Sequence, residues 1–280
     1  MTRLLLCTDL DRTLLPNGQQ KESAQARKMF CALSSRPEVT LTYVSGRDKK
    51  LVLQAIKEFK IPLADFIITD VGSSIYEIKD EQWDRWHDWD TEIEKDWQKH
   101  SSNQLHNLIS DLGQLKLQEE SKQKKHKLSY YVSLTDNHKD LFNLIYDRLK
   151  QKNIHSNIIW SIDEIKNIGL LDILPASAGK LQAIKFLMKQ KNYNLNETVF
   201  AGDSGNDLCV ISSDIKSVLV ANADKETRLQ AENNSIQNKQ SSSLYLAQGN
   251  YLGMNGNYSA GILEGVAHYL PEAENWFKDN

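Results

Sequence analysis

Asp9 and Asp11 stand two residues apart, directly after the apolar run Leu4-Leu5-Leu6. Residues i and i+2 of a strand point to the same side, so a strand ending in Asp-x-Asp presents two carboxylates at one sheet edge. In open α/β sheets ligand crevices lie at that edge, outside the strand C-termini. Two close carboxylates repel each other unless a cation or a shared proton offsets the charge. The pair therefore fits a metal site, a nucleophile with a neighbouring acid, or both. Ser45-Gly46-Arg47 closes a second apolar strand pattern, and Gly202-Asp203-Ser204-Gly205-Asn206-Asp207 closes a third. Lys180 stands where a loop turns into a helical pattern. A calcium-type loop would also use the glycine-aspartate wording of 202–207. The joint occurrence, in one order and each at a strand end, is what points to catalysis.

That set suits phosphoryl transfer with Mg²⁺. Magnesium prefers oxygen ligands and is held by one or two carboxylates with waters and substrate phosphate. Phosphoryl transfer needs in-line positioning and charge neutralisation more than covalent machinery, and a carboxylate can act as its nucleophile. Ser45 and the amides near Gly46 form a small anion nest in this reading. Lys180 neutralises phosphate and keeps a nucleophilic carboxylate ionised. Asp203 and Asp207, at i and i+4, share a face if a helical turn begins there.

Short apolar strand patterns alternate with helical spacing through residues 4–73 and again from 169 onward, which indicates a parallel sheet. The expected fold is α/β, a Rossmann-like parallel-sheet core with helices on both faces plus an inserted α+β cap. The core is expected over 1–78 and 170–280, with residues 170–174 as the strand that resumes it, and the cap over 79–169. Trp83, Trp86 and Trp89 carry helical spacing and predict an amphipathic helix. Residues 114–127 read as a solvated lysine-rich loop or face, and 128–134 alternate like a half-buried strand. Lys127 and Ser129 share one side of that strand, facing the site or solvent. Residues 233–256 read as loop with short structure at most.

Bulk properties narrow the partners. The 280 residues are 40% hydrophobic and 25% charged, with a formal net charge of −3, which argues against a general nucleic-acid binder. No apolar run approaches the roughly 18 residues of a membrane span, and no signal peptide is expected. Three cysteines, Cys7, Cys31 and Cys209, show no metal spacing and predict reduced thiols in a cytoplasm, with Cys7 and Cys209 buried.

Order and wording together resemble the haloacid dehalogenase-like phosphohydrolases. Asp9-Leu10-Asp11-Arg12-Thr13-Leu14 is similar to that family's first motif, Asp-x-Asp-x-Thr. Ser45 stands at its second-motif Ser/Thr, Lys180 at its third-motif Lys, and Gly202-Asp203 through Asp207 at its fourth. The insertion sits where a large family cap sits, so the resemblance spans the chain. It implies that Asp9 is the nucleophile and Asp11 the general acid/base, with Ser45 and Lys180 beside them. It also implies Mg²⁺ on Asp9, the Asp11 carbonyl and Asp203, with Asp207 supporting the metal or its waters.

Within that family, several stretches are similar to sucrose-phosphate phosphatases. They include Val71-Gly72-Ser73-Ser74-Ile75-Tyr76, Lys127-Leu128-Ser129-Tyr130 and Ala260-Gly261-Ile262-Leu263-Glu264-Gly265. The likeness implies a sugar phosphate substrate, with sucrose 6-phosphate foremost. Gly46, Arg47, Lys127, Ser129 and Asn206 are then the expected substrate-binding residues. A monomer supplied by a sucrose-phosphate synthase-type enzyme is the expected setting. The alternatives are a phosphatase for mannosylglycerate, mannosylfructose or glucosylglycerol phosphate, a phosphomutase, and a non-catalytic carbohydrate-binding module. The last is expected to have lost its carboxylates, and all four are present here.

Overall fold

The computed structural model describes residues 2–163 and 166–278. In chain order its strands begin with β1 (Leu4–Thr8), β2 (Val39–Val44), β3 (Phe66–Thr69), β4 (Ser74–Lys79), β5 (Gln82–Arg85) and β6 (Lys116–Leu117). They continue as β7 (Leu128–Val132), β8 (Ser156–Asp163), β9 (Ile168–Pro175), β10 (Thr198–Gly202), β11 (Lys216–Leu219) and β12 (Leu244–Leu246). The helices are α1 (Ala26–Ser34), α2 (Lys49–Phe59), α3 (His87–Glu94), α4 (Ser102–Ile109) and α5 (His138–Lys150). After them come α6 (Lys180–Gln190), α7 (Leu208–Ile211), α8 (Lys225–Gln237), α9 (Ser259–Tyr269) and α10 (Asn275–Lys278).

β1 shows why its sequence lacks alternation. All five residues are buried, Leu4 and Leu6 under one face, Leu5 and Cys7 under the other. Burial on both faces is the condition of a parallel sheet sandwiched by helices. β1 pairs in parallel with β2 and β10, at the centre of the order β12-β11-β10-β1-β2-β3-β4-β5. Phe30, Leu33, Ile262 and Val266 bring α1 and α9 onto one face. Ile184, Leu187, Trp89 and Ile93 bring α6 and α3 onto the other. The Rossmann-like core expected from the alternation is thus present.

A second sheet, β6-β7-β9-β8, is antiparallel. Leu105, Ile109, Leu141, Ile145 and Leu149 of α4 and α5 cover one of its faces through Leu128, Tyr130, Leu171 and Ile173. Across the other face, Ser129, Asp172 and Ile159 stand opposite one another in register. Ile159 packs on the core, which turns this face toward the main sheet.

Several expectations are corrected. Residues 170–174 do not resume the core: they lie in β9, the central partner of β7 and β8. Conversely, β5 lies beyond residue 79 yet belongs to the main sheet. The boundaries at 79 and 169 therefore miss the changeover between sheets. Trp83, Trp86 and Trp89 do not share a helix. Asp80 and Glu81 both have positive φ, 48° and 63°, which folds β4 and β5 into a two-residue hairpin. That places Trp83 on a strand and Trp89 on α3. Residues 114–127 include buried Gln118, His126 and Lys127. The start of 233–256 is the end of α8, which Asp224 caps by accepting from Thr227 N. Cys7 is buried as expected, but Cys209 is exposed. The short α7 turns Val210 and Ile211 inward instead.

Candidate active site

Chain direction assembles the site. Asp9 N donates to Ala201 O at 2.9 Å, so Asp9 and the Gly202-Asp203 turn leave their strands side by side. On the other flank Thr8 is opposite Tyr43, which sets the exit to Ser45 beside them. Asp9, Asp203 and Asp207 are buried, each offering an oxygen within 4.8 Å of the others. Gly202 makes this possible, because a Cβ there would stand 2.6 Å from Asp207 Cγ. Asp207 ends a short 3-10 turn rather than an α-helical one, and its Oδ2 accepts from the Asp203 and Ser204 amides at 3.1 and 3.2 Å.

Lys180 enters from the first position of α6 and is 1% exposed. Its ammonium donates to Asp9 Oδ1 at 2.9 Å, Asn206 Oδ1 at 2.9 Å and Asp207 Oδ1 at 2.7 Å. Close backbone packing delivers it: a Cβ on Gly72 (φ 94°) would stand 2.2 Å from the Gly179 carbonyl carbon. Burial lowers the affinity of Lys180 for its proton, but Asp207 and Asp9 overcome this and raise its pKa. Burial raises Asp9 well above the usual carboxylate range, against the pull of Lys180. Asp203 is pushed up to about 7 by burial and by the Asp207 charge.

The exit of β3, bonded to the Ser45 turn, is a strained loop. Asp70, Val71 and Gly72 run at φ 53°, 60° and 94°, an outlier for a β-branched valine. Bonds from Asp70 N to Arg47 O (2.9 Å) and from Val71 N to Ser45 O (3.2 Å) hold them there. Ser45 is 1% exposed and its Oγ accepts from Arg47 N at 3.1 Å. The Val71-Gly72-Ser73 wording thus encodes the clamp between the Ser45 turn and Lys180.

Asp11 separates from its strand neighbour. Its carboxylate does not join the three buried acids but accepts Arg47 Nε at 2.8 Å, Arg47 Nη2 at 2.6 Å and Asn17 Nδ2 at 2.7 Å. Burial pushes its pKa up, yet the hydrogen bonds and charge of Arg47, joined by the Asn17 bond and the Lys180 charge, together hold it below the usual range. Arg47 thus meets Asp11 rather than open space.

The cap contributes a distinct group. Lys127 Nζ lies 3.6 Å from Asp172 Oδ1, and Ser129 Oγ donates to the same oxygen at 2.5 Å. The Lys127 charge also reaches Asp70. Between α2 and the cap loop opens a cleft of about 750 Å³, lined by Asp48, Lys49, Asp70, Tyr76 and Lys124. Lys124 bridges the cap to Asp48 at 3.7 Å. Asp172 escaped the sequence reading, although a lone acid inside Leu170-Leu171-Asp172-Ile173-Leu174 is the signal that marks it. Thr13, placed by its motif but given no role there, donates to Asp203 Oδ1 at 3.0 Å.

The cluster fits a hard divalent cation. Two of the three buried carboxylates accept from the buried Lys180 ammonium, and among the described residues no hydrogen bond reaches Asp203 Oδ2. All available donors are oxygens, as Mg²⁺ requires.

The chain matches the family described as sucrose-6F-phosphate phosphohydrolase over residues 2–270. It is 49% identical over 276 residues to a Nitrosococcus oceani protein named only as a HAD-like hydrolase, covering 99% of this chain and 74% of that one. It is 30% identical over 239 residues to sucrose-phosphatase 2 of Nicotiana tabacum, covering 80% of this chain. It spans about half (51%) of that protein's length. The sucrose-phosphatase structure from Synechocystis sp. PCC6803, in complex with sucrose and phosphate, superposes with a TM-score of 0.76 at 25% identity. That match covers 96% of this chain and 98% of the other.

Proposed function

The chain belongs to the sucrose-6F-phosphate phosphohydrolase family of haloacid dehalogenase-like phosphoric monoester hydrolases, and on that basis we propose that it hydrolyses sucrose 6-phosphate through an aspartyl-phosphate on Asp9. One observation supports this most: Asp9 is buried between Lys180 and two further acids, while Asp11 stands apart on Arg47.

In this reading Asp9, Asp203 and the Asp11 carbonyl, with Asp207 beside them, would hold Mg²⁺, which would neutralise phosphate charge. Lys180 favours the charged form of Asp9, working against the burial that raises its pKa. Ser45 and the amides beside Gly46 receive the phosphate oxygens. Asp9 attacks phosphorus, the bond from phosphorus to the sugar oxygen breaks, and that oxygen takes a proton from Asp11. Asp11 then accepts a proton from the water that hydrolyses the aspartyl-phosphate. On Arg47 it rests in the ionised form, ready for the second half. For the first half it must leave Arg47 and take up a proton. Lys127, Ser129 and Asp172 supply a donor and acceptors for sugar hydroxyls at the face turned to the core. Asn206 helps by steering Lys180.

The test is phosphate release over a panel of sucrose 6-phosphate, mannosylfructose phosphate and glucosylglycerol phosphate, with and without Mg²⁺. Preference for sucrose 6-phosphate that depends on Mg²⁺ is the expected result. A flat profile refutes the substrate, and turnover retained by Asp9→Asn refutes the nucleophile.

A further inference from the structure

Arg12 lies inside the first motif but has no part in the chemistry above. We propose that its guanidinium is a built-in counter-cation that competes with the divalent ion for Asp203 and so lowers the affinity of the site for metal. This rests on the metal reading of Asp9, Asp203 and Asp207. Arg12 Nε lies 3.5 Å from Asp203 Oδ2. The other oxygen, Oδ1, is taken by the Thr13 hydroxyl. Lys180 serves Asp9 and Asp207 but donates no hydrogen bond to Asp203. Arg12 therefore places a second cation against the one acid of the three that Lys180 does not hydrogen-bond, at the oxygen left open to a metal.

The backbone is arranged to deliver it. Arg12 sits at φ 57°, a conformation that glycine adopts at lower cost. Its N–H donates to Asn17 Oδ1 at 2.8 Å, and its carbonyl accepts from Asn222 Nδ2 at 2.6 Å. Asn222 is buried and anchored in turn, with its Oδ1 accepting from Tyr258 N at 2.8 Å. These bonds hold a left-handed residue in place on both sides. A glycine would satisfy them equally, so the side chain is the feature that the strain serves. The Arg12 side chain is 34% exposed, which leaves it a path to solvent when a divalent ion arrives.

Isothermal titration of the full chain with MgCl₂ tests this, using Arg12→Gln, Arg12→Gly, Arg12→Lys and Asp203→Asn. Removing the charge tightens Mg²⁺ binding about three- to tenfold in the Gln and Gly variants. The Lys variant stays near the parent, because it keeps a cation there. Thermal unfolding gives a second readout: added Mg²⁺ raises Tm more in Arg12→Gln than in the parent. Arg12→Gly suits the backbone, so a fold defect in the Gln variant leaves the measurement intact. Unchanged or weaker binding in both charge-removing variants overturns the inference, provided that Asp203→Asn abolishes binding. If Asp203→Asn binds as the parent does, the metal reading itself falls, and the inference with it.

Discussion

Replacing Lys180 by Met keeps the length of the side chain and removes its charge. The ammonium lies 2.9 Å from Asp9 Oδ1 and 2.7 Å from Asp207 Oδ1, at 1% exposure. At an effective dielectric of about 20, each such contact is worth roughly 6 kcal/mol gross. Desolvation of the ammonium cancels much of this, and breaking a buried pair by removing one partner costs about 3–5 kcal/mol net. Against a total stability of about 5–15 kcal/mol, the loss is large. Urea unfolding at pH 7.5 in EDTA, followed by tryptophan fluorescence, measures it. The deficit should shrink toward pH 5, because Asp9 and Asp203 take up protons more readily than ordinary carboxylates and the unpaired charge disappears. The double variant Lys180→Met/Asp207→Asn should cost less than the sum of the singles, by about 0.5–3 kcal/mol. A Lys180→Met protein within about 1 kcal/mol of the parent at pH 7.5 would refute the view that this ammonium holds the acids together.

Three further outcomes are expected. Asp203 is raised from 3.8 to about 7 in the folded, metal-free protein, so its contribution to stability is complete below pH 4 and lost as pH rises through 7. Unfolding in EDTA between pH 4 and 7 should show that fall, Asp203→Asn should flatten it, and an unaltered slope in the variant contradicts the assignment. Arg47→Gln frees Asp11 from the bonds that hold its pKa down, so the high-pH limb of the kcat/KM profile should move upward; a profile that stays in place removes Arg47 from that role. Asp172→Asn and Ser129→Ala should raise KM about tenfold, with kcat within about threefold and inhibition by inorganic phosphate unchanged. A selective loss of kcat would place that pair in the chemistry instead of at the sugar.

Much of the site was legible because strand ends carry their own signal. The run Leu4-Leu5-Leu6-Cys7 is apolar at every position, as a doubly buried strand requires, and Asp9 follows after one buried threonine. Parallel strands share one exit edge, so the turns at Ser45 and Asp203 had to arrive beside Asp9. Lys180 was harder, since a lysine opening a helix is ordinary by itself. Its delivery depends on Gly72 packing on Gly179, a contact between segments more than a hundred residues apart. The cap acids and hydroxyl were half legible: Ser129 was named from its strand, while Asp172 came into view only when β9 proved to be its neighbour.

The sequence by itself determined the parallel core, the order of the chemical segments and the buried acids at their ends. These follow from periodicity and chain direction, which are local properties. Tertiary structure alone decided where each side chain went after its strand ended. Asp11 turned to Arg47, Arg12 turned to Asp203, and β9 joined the second sheet instead of the first. The physical reason is that a strand's pattern specifies which faces are buried but not which strand lies beside it. Likewise, a charge in a motif does not name its partner, because the closest opposite charge in space is chosen by the packing of distant segments.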